Sequence, residues 1–220
     1  MSKVALTRVA RTAVVWIAVI NSIAFAQNCK LSGAAEWNPS IRSVLADCSF
    51  ELPSPDRLLR LNVSTSGVMS LRKGTEPQKE WLGPKLEPPA MVSWSPRSDA
   101  FFVNDGEGSG MSSVFRLFRV NGPKVLEDDS IERAAVSLYR HRTKCSTSSA
   151  DPNVWGFGWR ANGNSILLLV QATVNEPCGP PDAFIGLVVQ TSDGKIMETL
   201  SEAQMKGRFG SQLPPSFFSK

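Results

Sequence analysis

The chain contains one histidine, His141, so a Ser-His-Asp arrangement has a single candidate for its base. None of the serines has the G-x-S-x-G spacing that exposes a nucleophile on a strand-to-helix turn. His141 itself stands in Arg140-His141-Arg142-Thr143-Lys144, where neighbouring cations disfavour its protonated form. A surface histidine in a basic loop is the simpler reading. Cysteine is also sparse: the four present include no C-x-x-C pair, which removes the usual zinc spacing. An excess of positive charge is lacking too. The formal +4 of the full chain falls to +1 once Lys3, Arg8 and Arg11 are set aside with a leader. With so small an excess and no aromatics interleaved with the basic run, phosphate-backbone binding is not expected. No cofactor or metal motif is found, and neither is expected.

Long apolar runs are missing after the first residues, and those residues read as an address. Lys3, Arg8 and Arg11 form a positive stretch with no acid before residue 27, and 13–23 is apolar apart from Asn21 and Ser22. Ala24-Phe25-Ala26 then fits a small-x-small cleavage site. The apolar stretch is shorter than the ~20 residues a spanning helix needs, so a membrane anchor is the weaker alternative. Cys29 is not preceded by the Leu-x-small pattern of a lipoprotein. Residues 1–26 are therefore expected to be a Sec-type signal peptide cut after Ala26, in a bacterial protein delivered to the periplasm or secreted. Residues 27–220 are expected to be one β-rich domain without stable membrane insertion.

In that oxidising setting four cysteines imply two bridges, with three pairings open. Cys29–Cys48 and Cys145–Cys178 are favoured, because each pair flanks one local segment. Closing loops of that length stabilises by about 3–4 kcal/mol each in the chain-entropy picture.

What the chain does have is a three-fold echo. Trp94-Ser95-Pro96-Arg97-Ser98-Asp99 and Trp159-Arg160-Ala161-Asn162-Gly163-Asn164 each lie between a short apolar strand and a longer one. Pro53-Ser54-Pro55-Asp56-Arg57 is a paler copy. Repeated units must stack, since none buries its apolar face alone. Strand-length apolar segments and the turns Asn121-Gly122 and Asp193-Gly194 predict four-stranded antiparallel meanders over about 47–83, 91–127 and 155–200. In the first unit the fourth strand falls near Trp81. Residues 128–154 form an insertion with a short helix at 130–137, and Ser201 with Gln204 spells a capping box. The segment 213–220 is interrupted by proline and reads as an extended tail. Trp94 and Trp159 are read as core residues packing one sheet on the next. Asn62-Val63-Ser64 is a glycosylation sequon, without consequence in a bacterium.

These Trp-Ser-Pro-x-Ser-Asp and Trp-x-x-Asn-Gly turns, each followed by an apolar strand, resemble blades of β-propellers. The likeness is to the Tol-system periplasmic propeller and to WD-type blades, and it covers roughly 47–200. The Trp-Asp and Gly-His pairs of WD repeats are absent. Propellers normally close with 4–8 blades. The resemblance therefore implies either a degenerate fourth blade from the N-terminal residues or an open, propeller-like or sandwich-like stack.

In a meander the loops between second and third strands share an end with the links between units. That end would gather 84–90, 105–112, 128–154 and 175–181, the longer and more irregular segments, while the other end has only tight turns. Long loops on one rim of a rigid scaffold are where binding surfaces are usually built. The expected binding residues are Asp105, Glu107, Met111, Arg140, His141, Arg142, Glu176 and Asp182. Asn104-Asp105-Gly106-Glu107-Gly108-Ser109-Gly110 has the alternating oxygens of a calcium loop but lacks the closing bidentate glutamate, so a hairpin loop is the better reading. The function expected is that of an exported, non-catalytic protein that binds a protein or cell-envelope partner through this rim. It would act as an inhibitor or immunity protein, or as an envelope-complex component in the manner of the Tol propeller. The alternative is a small hydrolase using the rim carboxylates Asp105, Glu107, Glu176 and Asp182.

Overall fold

The computed structural model describes residues 41–44, 47–74, 81–107, 112–122, 124–145, 150–173 and 184–213. The leader, Cys29, Met111, Glu176, Cys178, Asp182 and the tail from 214 lie outside the described residues.

The protein is mostly β, built from consecutive antiparallel meanders. The first sheet comprises β2 (Phe50–Pro53), β3 (Leu59–Val63), β4 (Val68–Lys73) and β5 (Trp81–Lys85). The second contains β6 (Ala90–Trp94), β7 (Ala100–Asp105), β8 (Val114–Asn121) and β9 (Lys124–Asp128). The third is β10 (Asn153–Arg160), β11 (Ser165–Gln171), β12 (Phe184–Gln190) and β13 (Ile196–Leu200). None closes into a barrel. A strand that the sequence reading did not anticipate, β1 (Arg42–Val44), joins the free edge of β6 with Ser43 opposite Met91. Among the described residues the N-terminal part thus adds a fifth strand to the second sheet and not a fourth blade.

The sheets stack face to face, with the second in the middle. Its strand β7 is buried along its whole length, because adjacent side chains point to opposite faces and both faces are covered. Phe101 packs toward the first sheet, stacked on Phe118 at 4.9 Å and edge-on to Trp94 at 5.1 Å. This cluster includes Leu61, Val63, Met69 and Leu71 from the first sheet. Phe102 faces the other way, 5.6 Å from Phe115 and 5.5 Å from Trp159, in a cluster with Val154, Ile166 and Leu168 of the third sheet. Each fully buried Leu, Ile or Phe here contributes about 1.5–3 kcal/mol of apolar burial.

The two ends of the stack differ. The outer face of the third sheet presents Leu167, Leu169 and Phe184, and α2 (Glu202–Phe209) covers it with Met205 and Phe209. Gly186 makes this possible, since a Cβ there would lie 2.1 Å from Met205 Sδ. The capping box is present: Ser201 Oγ accepts from the Gln204 amide, and the Gln204 side chain accepts from Ser201 N–H. The outer face of the first sheet instead carries Glu51, Arg60, Asn62 and Arg72, with Glu51 and Arg60 ion-paired.

The repeated turns have one geometry. Ser54 N–H donates to Leu59 O at 2.9 Å, and Ser95 N–H donates to Ala100 O at 2.8 Å. Arg57 and Ser98, at matching places, both have φ of 62°, and Asn162 has φ of 54° in the third turn. Trp94 is buried between sheets and Trp159 packs against the core, as their positions predicted.

Two expectations are corrected. The helix of the insertion, α1 (Ser130–Thr143), runs well past residue 137, because its buried stripe Ile131, Ala135 and Tyr139 recurs every four residues. Arg140, His141 and Arg142 therefore occupy its last turn and not a loop, where cations complement the helix dipole. The end opposite the rim is also not all tight turns. The β4–β5 connection spans 74–80, where β8 and β9 are joined by only 122–123.

Candidate functional site at the loop-bearing rim

Strand direction places the β5–β6 link, the β7–β8 loop, the α1 insertion and the β11–β12 loop at one end of the stack. Side-chain bonds tie the β5–β6 link, the β7–β8 loop and the end of the insertion together. Asp105, at the end of β7, is buried, and its Oδ1 accepts from the amides of Glu87 at 3.1 Å and Glu107 at 3.4 Å. Its Oδ2 lies 3.6 Å from Arg116. Asp105 is thus a brace between two rim segments, with little left to offer a ligand. Next to it, Gly106 runs so close to the β5–β6 link that a Cβ would come 2.1 Å from Pro89 O.

A second brace joins the second and third sheets. Asn104 Nδ2 donates to Gly156 O at 2.9 Å, and its Oδ1 accepts from Gly156 N–H at 2.7 Å, beside the register shift of β10. Close by, Ser113 N–H donates to Asn153 Oδ1 at 2.8 Å, holding the end of the β7–β8 loop on the start of β10.

Between these braces and α1 lies a cleft of about 780 Å³. It is lined from three rim segments: Glu107 and Ser112 of the β7–β8 loop, Glu132, Ser137 and Arg140 of α1, and Asp151 of the insertion. Thr173, at the start of the β11–β12 loop, also borders it. Apolar wall is supplied by Val114, Val136, Ala150 and Pro152.

The charges in and around the cleft are mostly matched. Arg140 donates to Asp151 Oδ1 from Nε at 2.9 Å and from Nη2 at 2.7 Å. Arg133 is paired with Asp129 one turn earlier, at 3.0 Å. Arg116 is held by Glu127 through two bonds of 2.6 and 2.9 Å. Glu132 differs. Its carboxyl takes a bond from the Phe115 backbone, and no ion pair to it is found among the described residues. Burial, chiefly, with Asp151 and Glu127 adding like charge, pushes this carboxyl up to about 7, against the pull of the Phe115 bond and Arg116.

Of the residues expected from sequence, Glu107 and Arg140 line the cleft, and Asp105 sits behind it as a brace. His141 and Arg142 are exposed on the last turn of α1 and do not line it. Met111, Glu176 and Asp182 lie outside the described residues. Glu132, Asp151 and Ser137 were missed. No local signal marks Glu132, because the burial and the neighbouring Asp151 and Glu127 that set it apart come only with the fold. Neither Cys48 nor Cys145 is a free thiol, while Cys29 and Cys178 lie outside the described residues. Among the described residues no three His, Cys, Asp or Glu side chains are grouped to hold a metal, and no helix is long and apolar enough to cross a membrane. No protein-family model matches the chain, and comparison with curated proteins finds no relative.

Proposed function

We propose that this is an exported, non-catalytic binding protein that engages a protein partner, soluble or in the cell envelope, through the rim cleft. The observation that carries this reading is the convergence of three loop-bearing segments on one cleft, with the β7–β8 loop bonded to its neighbours at both ends. An inhibitor or immunity role and an envelope-complex role both fit, as does the likeness of the stacked meanders to propeller blades. Export rests on the charged, apolar and small-residue order of 1–26. It goes with bridges Cys29–Cys48 and Cys145–Cys178.

The reading is tested by blocking the cleft. Ser137 is exposed on α1 at the cleft wall, so Ser137→Trp fills space without disturbing the core. A partner crosslinked by the wild type in an envelope extract should be lost with Ser137→Trp, and equal capture by both overturns the reading. Mass spectrometry of the exported protein should show Gln27 as the first residue, and non-reducing peptide maps should show the two bridges.

A second reading, a small hydrolase, is favoured by one observation. A half-buried carboxyl titrating near 7 inside a cleft is poised as a general acid or base. In that case Glu132→Gln abolishes turnover of a substrate that the wild type processes.

A further inference from the structure

We propose that the rim cleft receives a lysine or arginine side chain projecting from the protein partner, with the Glu132 carboxylate as its counter-charge. This rests on the reading of the cleft as a binding site and names the chemistry of what enters it.

The charges decide the sign of the guest. Each arginine that lines or faces the cleft has its own carboxylate: Arg140 has Asp151, Arg133 has Asp129, and Arg116 has Glu127 and Asp105. Among the described residues neither Glu132 nor the exposed Glu107 makes an ion pair, so two of the three carboxylates lining the cleft lack a salt-bridge partner. Among the described residues, every arginine an anion would meet here already faces a carboxylate. A cation would meet a carboxylate already fixed in place by the Phe115 backbone bond.

Shape decides its form. About 780 Å³ is far more than a lone ammonium ion fills, and it falls within the usual range of ligand clefts. Val114, Val136, Ala150 and Pro152 offer apolar wall for a methylene stem, while the charged head reaches the carboxylate. With fewer than three grouped donors among the described residues, a bare divalent ion is the poorer match.

Protonation follows from the same geometry. The groups facing Glu132 are Asp151 and Glu127, which favour its neutral form, and Arg116 and the Phe115 bond, which favour the anion, with Arg133, Arg140 and Glu107 lining the same cleft. An arriving cation draws the carboxyl back into its ionised form and releases a proton.

The test uses the mature protein with N-acetyl-arginine amide and N-acetyl-lysine amide as probes and N-acetyl-glutamine amide as control, followed by amide chemical shifts. Saturable shifts confined to the cleft are expected with the two cationic probes only. A carboxyl near 7 makes the apparent affinity about tenfold weaker at pH 6 than at pH 8. Glu132→Gln should lose at least tenfold and flatten that pH dependence, and Glu132→Asp should recover part of the loss. No saturable shift, equal shifts with the glutamine probe, or full binding by Glu132→Gln overturns the proposal. If Glu132→Gln fails to fold, the wild-type pH dependence and Glu132→Asp decide it in the same way. Loss of partner capture by Ser137→Trp with no cationic binding sinks only this inference, whereas capture unaffected by Ser137→Trp sinks the reading beneath it.

Discussion

The indole N–H of Trp94 donates to the backbone carbonyl of Leu52, 3.2 Å away in the preceding sheet. Trp159 repeats the gesture one unit later, donating to Ser93 Oγ at 3.2 Å. Leu52 and Ser93 hold the same place in their units, one residue before the turn motif begins. The tryptophans therefore pin sheet to sheet, and Pro53 holds the matching position in the first unit.

Trp94→Phe keeps an apolar ring but removes the donor, leaving the Leu52 carbonyl without it. A loss of about 1–2 kcal/mol is expected from the urea midpoint. Trp159→Phe should cost about 1 kcal/mol, since the Ser93 hydroxyl can turn to another acceptor. A neutral Trp94→Phe would remove the pinning role.

Asn104→Leu strips both bonds from buried Gly156 and leaves its N–H and C=O orphaned between two sheets. Each such group costs about 1–3 kcal/mol, so this variant should be among the most damaging single changes in the chain. Equilibrium unfolding measures it. The effect should greatly exceed that of Asn62→Leu on the exposed sheet face, and equal effects would contradict the brace.

Glu132 makes stability depend on pH. Its folded carboxyl titrates near 7, against an ordinary value of 4.5, so the folded state holds a proton that the unfolded state gives up. The stabilisation is complete below about pH 4.5 and is lost as pH rises toward 7 and beyond. Allowing for screening of a partly exposed group, about 1–2 kcal/mol is expected. Thermal midpoints of the wild type should fall between pH 5 and 8 relative to those of Glu132→Gln. Parallel curves would show that Glu132 titrates normally.

Tyr139 is 1% exposed, and among the described residues its hydroxyl has no partner in normal hydrogen-bond geometry, only a loose approach to the Ala172 backbone. Tyr139→Phe removes an unsatisfied group and little volume. It should be neutral or stabilising by up to about 1 kcal/mol in thermal unfolding. A clear loss would reveal a bond to that hydroxyl in solution.

The meanders were legible because their signals are local. Ser95-Pro96 and Ser54-Pro55 set the turns, Asn121-Gly122 and Asp193-Gly194 set hairpins, and Ser201 with Gln204 started a helix as written. The long reach of α1 depends on Tyr139 finding a pocket against other sheets, which no window of neighbours reveals. Strand β1 is three residues long and is placed only by the edge of β6. The same divide runs through the site. The rim followed from counting strand directions, and Glu107 and Arg140 came with it. Asp105 looked like a ligand because it is an acid in a glycine-rich loop, yet the amides of Glu87 and Glu107 take up its oxygen. Glu132 was invisible because its unusual acidity comes from burial and from Asp151 and Glu127, brought near only by the fold.

The charged outer surface of the first sheet and the helix laid over the third give this array two finished termini. A row of sheets can end by curling into a ring or by changing what its last members show to water, and the described residues show the second pattern. Among the described residues the array thus has two unlike ends, one charged and one sealed by a helix. Shearing α2 away would bare Leu167, Leu169 and Phe184 and turn a sealed end into a sticky one, a route to head-to-tail growth between molecules.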